Sequence, residues 1–305
     1  MSKYRAILIA GPTASGKSAA ALALAEKFCG VIVNADSMQV YSDLRILSAR
    51  PSQADEARAP HALYGFVSAA EAYSAGRWLE DMKAALARTQ RDWQIPIITG
   101  GTGLYFKALL EGLSPVPEIP GDIRARWREQ AQNSSARDLH ELLCERDPRM
   151  AARLMPSDPQ RLVRALEVID ATGRSLAQWH DEPGQPLLRE EDVARLFITQ
   201  PREMLYARID ARFDEMIGNG ALDEVRALAE QKLECGLPAM RALGVRPLMQ
   251  FLRGKMTQDE AIMRAKTETR RYAKRQLTWA KSNMITWKHI FTKDSEKFLE
   301  NYLQL

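Results

Sequence analysis

The residues best placed to do chemistry come first in the chain: Gly11, Pro12, Thr13, Ala14, Ser15, Gly16, Lys17 and Ser18. They fit the pattern G-x-x-x-x-G-K-[ST], with an apolar strand before and a helix former after. The glycines let the backbone curl so that several N–H groups converge on one anion. A helix starting at Lys17 aims its positive end at the same point. Lys17 adds a point charge, and the Ser18 hydroxyl can ligate Mg²⁺. A polyphosphate is therefore the expected ligand class, and the usual occupant of such a loop is a nucleoside triphosphate. A second element, Asn34 to Tyr41, carries Asp36, Ser37, Met38 and Gln39. Ligands of an open α/β sheet bind outside the carboxyl ends of its strands, so Asp36 is expected to face the phosphate loop. Taken alone, Asp36 reads equally well as a loop cap or an outer-shell Mg²⁺ ligand. A third element, Gly100 to Tyr105, holds Thr102 at another strand end, and alone it reads equally well as a turn.

The elements that must position these groups follow from periodicity. Short apolar runs at Arg5–Ala10, Val31–Asn34, Ile95–Thr99 and Val193–Thr199 predict buried strands. Helical segments lie between them, including 19–28 and an amphipathic stretch over 71–91. The expected fold is α/β, a P-loop NTPase-like core with a parallel sheet flanked by helices. The Pro115–Gly121 stretch marks a boundary, and from Asp122 to Trp179 every periodic segment is helical. The chain therefore divides into a first core part (1–120), an all-α insertion (121–188) and a second core part with a basic helical end (189–305). Further helices are expected over 202–217, 222–231 and 259–282.

Composition narrows the class. Of 305 residues, 46% are hydrophobic and 27% charged, which excludes wholesale disorder and fibrous repeats. No run approaches the length of a bilayer span. Three scattered cysteines and four scattered histidines point to a reduced, cytoplasmic chain with no disulfide framework or zinc site. The net charge of +4 is uneven: residues 239–288 carry 12 Lys and Arg against three acids, which leaves the remainder at −5. A basic segment on an acidic body suits a polyanionic partner.

GPTASGKS, NADSMQVY and GGTGLY, in this order and spacing, resemble the tRNA dimethylallyltransferase (tRNA isopentenyltransferase) family in its bacterial form. The likeness continues through Asp158–Glu167, Tyr206–Asp210, Pro238–Arg241 and Thr269–Trp279, and covers nearly the whole chain. It departs from the family's usual pattern at Leu47-Ser48, Ala62 and Val245.

The resemblance implies transfer of a dimethylallyl group from dimethylallyl diphosphate to N6 of the adenosine adjacent to the anticodon of tRNA. It implies Mg²⁺ as cofactor and a monomer acting without a membrane. Asp36 would be the general base, Lys17 and the loop would hold the diphosphate, and Thr102 would orient the reacting groups. Contacts to the tRNA anticodon stem-loop would come from Asp36, Ser37, Met38, Gln39, Thr102, Arg124, Gln160, Arg161, Leu162, Val163, Arg164, Arg241, Arg246, Lys274, Arg275 and Lys281. In the basic segment, aromatic residues Tyr272, Trp279 and Trp287 interleave with Arg270 and Arg271, a composition that suits single-stranded RNA. A P-loop kinase of a small metabolite is the alternative enzyme, with Arg124, Arg126 and Arg128 imitating a lid. A non-catalytic RNA-binding ATPase is the alternative from another class.

Overall fold

A computed structural model describes residues 4–291. It forms two compact units: the residues up to Leu110 with those from Leu187 onward, and the segment 111–186.

The first unit begins with β1 (Ala6–Ala10), α1 (Lys17–Phe28), β2 (Val31–Asn34), α2 (Gln53–Arg58), β3 (His61–Ala62), α3 (Ala75–Arg91), β4 (Pro96–Gly100) and α4 (Gly103–Glu111). The second holds α5 (Gly121–Asn133), α6 (Ala136–Arg146), α7 (Pro148–Ala151), α8 (Pro159–Thr172) and α9 (Leu176–His180). The first unit then resumes with β5 (Val193–Thr199), α10 (Arg202–Gly218), α11 (Ala221–Glu230), α12 (Val245–Leu252), α13 (Gln258–Asn283) and β6 (Lys288–Phe291).

All six strands run parallel in the order β3-β2-β4-β1-β5-β6. The register sets Leu8 between Ile98 and Arg195, so β1 and β4 end together while β5 runs two residues further. Leu8, Val33, Ile98 and Phe197 join one apolar cluster, whereas Ile7, Ile9, Ile97 and Ile198 join another with Ala21 and Leu24 of α1. A sheet buried on both faces explains why its strands read as continuous apolar runs.

Some boundaries move for local reasons. Helix α3 starts at Ala75 rather than near Glu71, because the Ser74 hydroxyl accepts the Arg77 N–H at 3.2 Å and caps it there. Strands β3 and β6 carry no periodic signal: β3 has two residues, and only Ile290 of β6 is buried. Residues 111–120, read from the sequence as the end of the first core part, instead group with the helical unit, where Val116 and Ile119 join its apolar cluster. Leu187 and Leu188 group with the α/β unit, both donating to the Leu109 carbonyl, at 3.0 and 3.2 Å. Of the expected second core part, residues 292–305 lie outside the described residues.

Candidate active site

The phosphate loop joins β1 to α1. A Cβ on Gly11 would fall 2.3 Å from the Ile198 carbonyl, so only glycine lets the loop leave the sheet here. Gly16 caps α1 with φ +96°, and Ala14 also takes the left-handed region at φ +62°. Lys17 lies folded over the loop, its Nζ donating to the Pro12 carbonyl at 3.3 Å. Burial pushes its pKa down to about 8, against the opposing pull of Asp36; the Arg212 charge adds to the fall. Three residues that sequence reasoning missed hold the loop from outside. Arg212 of α10 donates to the Thr13 hydroxyl, Gln200 Nε2 donates to the Ala14 carbonyl at 2.8 Å, and Gln276 Oε1 accepts the Thr13 N–H at 2.9 Å. Burial lowers the pKa of Arg212, and Asp36 again opposes the shift. The only sequence signal for Arg212 is a cation beside the buried stripe Leu205, Ile209, Phe213 and Met216 of α10.

Asp36 sits just past the end of β2. Asn34 fixes this turn: its Oδ1 accepts the Asp36 N–H at 2.8 Å, and its Nδ2 donates to the carbonyls of Asp36 and Leu63 at 2.9 and 3.0 Å. Asp36 Oδ1 accepts the Met38 N–H at 2.9 Å, which leaves Oδ2 as the outward acceptor. Ser37 N–H donates to Thr102 Oγ1 at 2.9 Å, and the Thr102 N–H donates to the Ala35 carbonyl at 3.2 Å. Asp36 and Thr102 therefore share one hydrogen-bonded junction, formed where β2 and β4 end side by side. Three phenols feel the charge of this carboxylate. Those of Tyr64, Tyr105 and Tyr272 are pushed upward by burial first and by the Asp36 charge second, so all three remain neutral donors.

A cavity of about 240 Å³ opens beside this junction, between Gly11 and the Gly100–Leu104 turn. Phe106, Phe197, Trp279 and Met284 give it apolar walls, and Tyr272 and Gln276 give it a polar rim. An apolar chamber flanked by a phosphate cradle and a carboxylate suits a ligand with a charged head and a hydrocarbon tail.

The family models agree with this geometry. IPP transferase matches residues 39–283 and isopentenyl transferase matches 4–61. The chain belongs to the IPP transferase family. It is 56% identical to the tRNA dimethylallyltransferase of Rhodopseudomonas palustris, over 90% of this chain and 87% of the relative. It is 53% identical to that of Methylocella silvestris, over 92% and 93%. Among solved structures, it is similar to a eukaryotic dimethylallyltransferase acting on tRNA, with a TM-score of 0.81 and 28% identity over 98% of this chain and 76% of that one. The full-length tRNA isopentenylpyrophosphate transferase of Bacillus halodurans gives 0.71 and 28%, over 98% and 95%.

The remaining expected contacts of this IPP transferase spread over both units. Ser37, Met38 and Gln39 lie on the Asp36 turn, where Gln39 Nε2 donates inward to the Ser48 and Ala49 carbonyls at 3.0 and 2.8 Å. Arg246 is exposed at the start of α12, and Arg241 is exposed in a 3-10 turn before it. Lys274, Arg275 and Lys281 are exposed on α13, with the Arg275 guanidinium 5.5 Å from the centre of the Tyr272 ring. Two residues of the basic segment are structural: Arg270 clasps Asp210 through two 2.7 Å contacts, and buried Trp287 packs edge-on against Phe106 at 5.3 Å.

In the helical unit, Arg124 is half-buried on α5, and Gln160 and Arg161 are exposed at the start of α8. Arg161 and Arg164 pair with Asp158 and Glu167 of their own helix, at 3.2 and 3.4 Å. Leu162 corrects an expectation: it is wholly buried in that unit's core, because the apolar stripe of α8 runs through it, and Val163 packs partly against the same core.

No group of three His, Cys, Asp or Glu able to hold a metal occurs among the described residues. The oxygen donors at the cradle are the exposed Ser18 hydroxyl and, electrostatically linked to Lys17, Asp36. That sparse, hard set fits Mg²⁺ if the ligand's own phosphate oxygens complete its shell. No described helix is long and apolar enough to cross a membrane.

Proposed function

We propose that this chain transfers a dimethylallyl group from dimethylallyl diphosphate to N6 of the adenosine at position 37 of tRNA, releasing diphosphate. The observation that carries the reading is the Asp36–Thr102 junction facing a phosphate loop across an apolar cavity. Asp36 accepts a proton from the exocyclic amine through Oδ2, raising the nucleophilicity of the nitrogen. The nitrogen bonds to C1 of the donor as the C1–O bond breaks. The negative charge that develops on the leaving diphosphate is met by the loop N–H groups, Lys17 and Arg212. Thr102 and the neutral Tyr272 phenol, both lining the cavity, supply hydrogen bonds that orient the acceptor base. Mg²⁺, held by Ser18 and the diphosphate, would add positive charge at the leaving group.

The acceptor base must leave its stack to reach Asp36. Ser37, Met38, Gln39 and Thr102 would receive it. Arg124, Gln160, Arg161, Val163, Arg164, Arg241, Arg246, Lys274, Arg275 and Lys281 would hold the anticodon stem-loop. Action on tRNA makes the cytoplasm the working compartment, and a monomer is the expected form. Incubation with labelled dimethylallyl diphosphate and unmodified tRNA tests the function. Label in tRNA is the expected result; nucleotide-dependent phosphorylation of a small metabolite, or RNA-stimulated ATP hydrolysis without label transfer, would replace the reading.

A further inference from the structure

The carboxamide of Gln276 lies between the two halves of the reaction centre. Its Oε1 accepts the Thr13 N–H of the phosphate loop at 2.9 Å, and its Nε2 donates to the Gly101 carbonyl just past β4 at 2.9 Å. Tyr272, one helical turn earlier on α13, lines the same cavity as Thr102 and Gln276. Gln276 therefore ties the donor loop directly to the turn after β4, and Thr102 of that turn accepts the Ser37 N–H beside the base through its Oγ1. The fit is close: a Cβ on Gly101 would fall 2.3 Å from Gln276 Nε2 and 3.2 Å from Asp36 Oδ2. The loop is otherwise held through Thr13 and Ala14 by Arg212 of α10 and Gln200, the residue after β5, neither of which is hydrogen-bonded to the turn after β4.

We propose that Gln276 is a positioning residue: it clamps the diphosphate loop to the end of β4 and so holds C1 of the donor in line with the acceptor nitrogen at Asp36. The inference rests on the proposed function. Gln276 itself touches neither bond that breaks nor bond that forms. Both its partners are backbone atoms, so it fixes where the two loops lie and leaves their chemistry unaltered. A fixed approach matters because misplacing reacting atoms by about 1 Å costs on the order of 10²-fold in rate.

A misaligned acceptor leaves the donor to water. In that side reaction the C1–O bond breaks, a water oxygen bonds to C1, diphosphate departs and a proton passes to solvent, giving dimethylallyl alcohol. The partition of labelled donor between alcohol and tRNA therefore reads alignment, whereas general damage to the protein lowers both products together. Gln276→Met keeps the length of the side chain and removes both hydrogen bonds. Gln276→Asn keeps the carboxamide but is too short to reach both partners.

In Gln276→Met, single-turnover transfer to tRNA should fall by about 10²-fold. The alcohol-to-tRNA ratio should rise, and the separately measured affinity for tRNA should stay at the parent's value. Gln276→Asn should give the same rise in the ratio. An unchanged ratio in either variant, or a loss of transfer matched by equal losses of hydrolysis and donor affinity, overturns the clamp. Failure of the parent protein to label tRNA would instead overturn the function itself.

Discussion

The helical unit and helix α13 are both rich in cations, but they differ in what neutralises them. Of the ten arginines in residues 111–186, eight pair with an acid of the same unit; Asp170, for example, takes both Arg126 and Arg146. Helix α13 divides along its length. Toward its N-terminus Arg264, Lys266 and Arg270 pair with Glu268, Asp214 and Asp210. From Arg271 onward, Lys274, Arg275 and Lys281 have no acid partner among the described residues. The phosphate loop follows the second pattern, with Lys17 and Arg212 half-buried and neither in an ion pair among the described residues. A count of basic residues therefore says little about anion binding; cations left without acids mark the surface that waits for phosphate.

The sharpest way to break this comparison is to remove the one acid at the centre. Asp36→Ala should lower single-turnover prenyl transfer by about 10²- to 10⁴-fold while tRNA binding persists. A rate close to the parent's would remove Asp36 from the mechanism.

Lys17 comes next. Lys17→Ala should cost about 10²-fold in transfer, the usual loss for one preorganised charge on a leaving group. Its proton is present below its pKa of about 8 and lost as pH rises through that value. Donor kcat/KM, which reports the unliganded protein, should therefore decline above about pH 8. Diphosphate binding favours the charged form, so the decline in kcat should lie at higher pH. Paired pH profiles check both; coincident midpoints would show that Lys17 does not meet the donor.

The smaller effects compare the cation surfaces themselves. Arg271→Ala with Lys274→Ala, three residues apart on the exposed face of α13, should flatten the log-affinity against log-salt slope for tRNA by about 0.7 to 0.9 per lost contact. Arg149→Ala, whose partner is Asp181, should leave that slope unchanged and alter stability by at most about 1 kcal/mol. Salt titrations of both variants measure the difference, and equal slopes would erase the distinction drawn here.

How much of this could be read from the sequence depends on how local each feature is. The phosphate loop was legible because Gly11 to Ser18 contain its whole geometry within eight consecutive residues. Strands β1, β2 and β4 were legible because burial on both faces leaves them apolar over nearly their whole length. Arg212, Gln200 and Gln276 were not, since they meet the loop across separations of 199, 186 and 263 residues. The basic character of α13 was plain, but its division into paired and unpaired halves depends on Asp210 and Asp214 of α10. Leu162 failed as a contact because a motif position says nothing of which side of the helix is buried. Strand β6 was invisible because an edge of four residues with one buried side chain has no period to detect.

The paired N–H groups of Leu187 and Leu188 on the Leu109 carbonyl carry a consequence for the modularity of the chain. The path that leaves the sheet after α4 returns beside its own point of departure, so the 76 residues of 111–186 hang from a closed neck. A graft on such a neck costs the host little, because loop-closure entropy grows only with the logarithm of length. Insertions and excisions succeed at sites of this kind. Joining Leu110 to Leu187 through a short Gly-Ser bridge should therefore yield a miniature that folds and still binds dimethylallyl diphosphate, with its grip on tRNA reduced to what α12 and α13 supply.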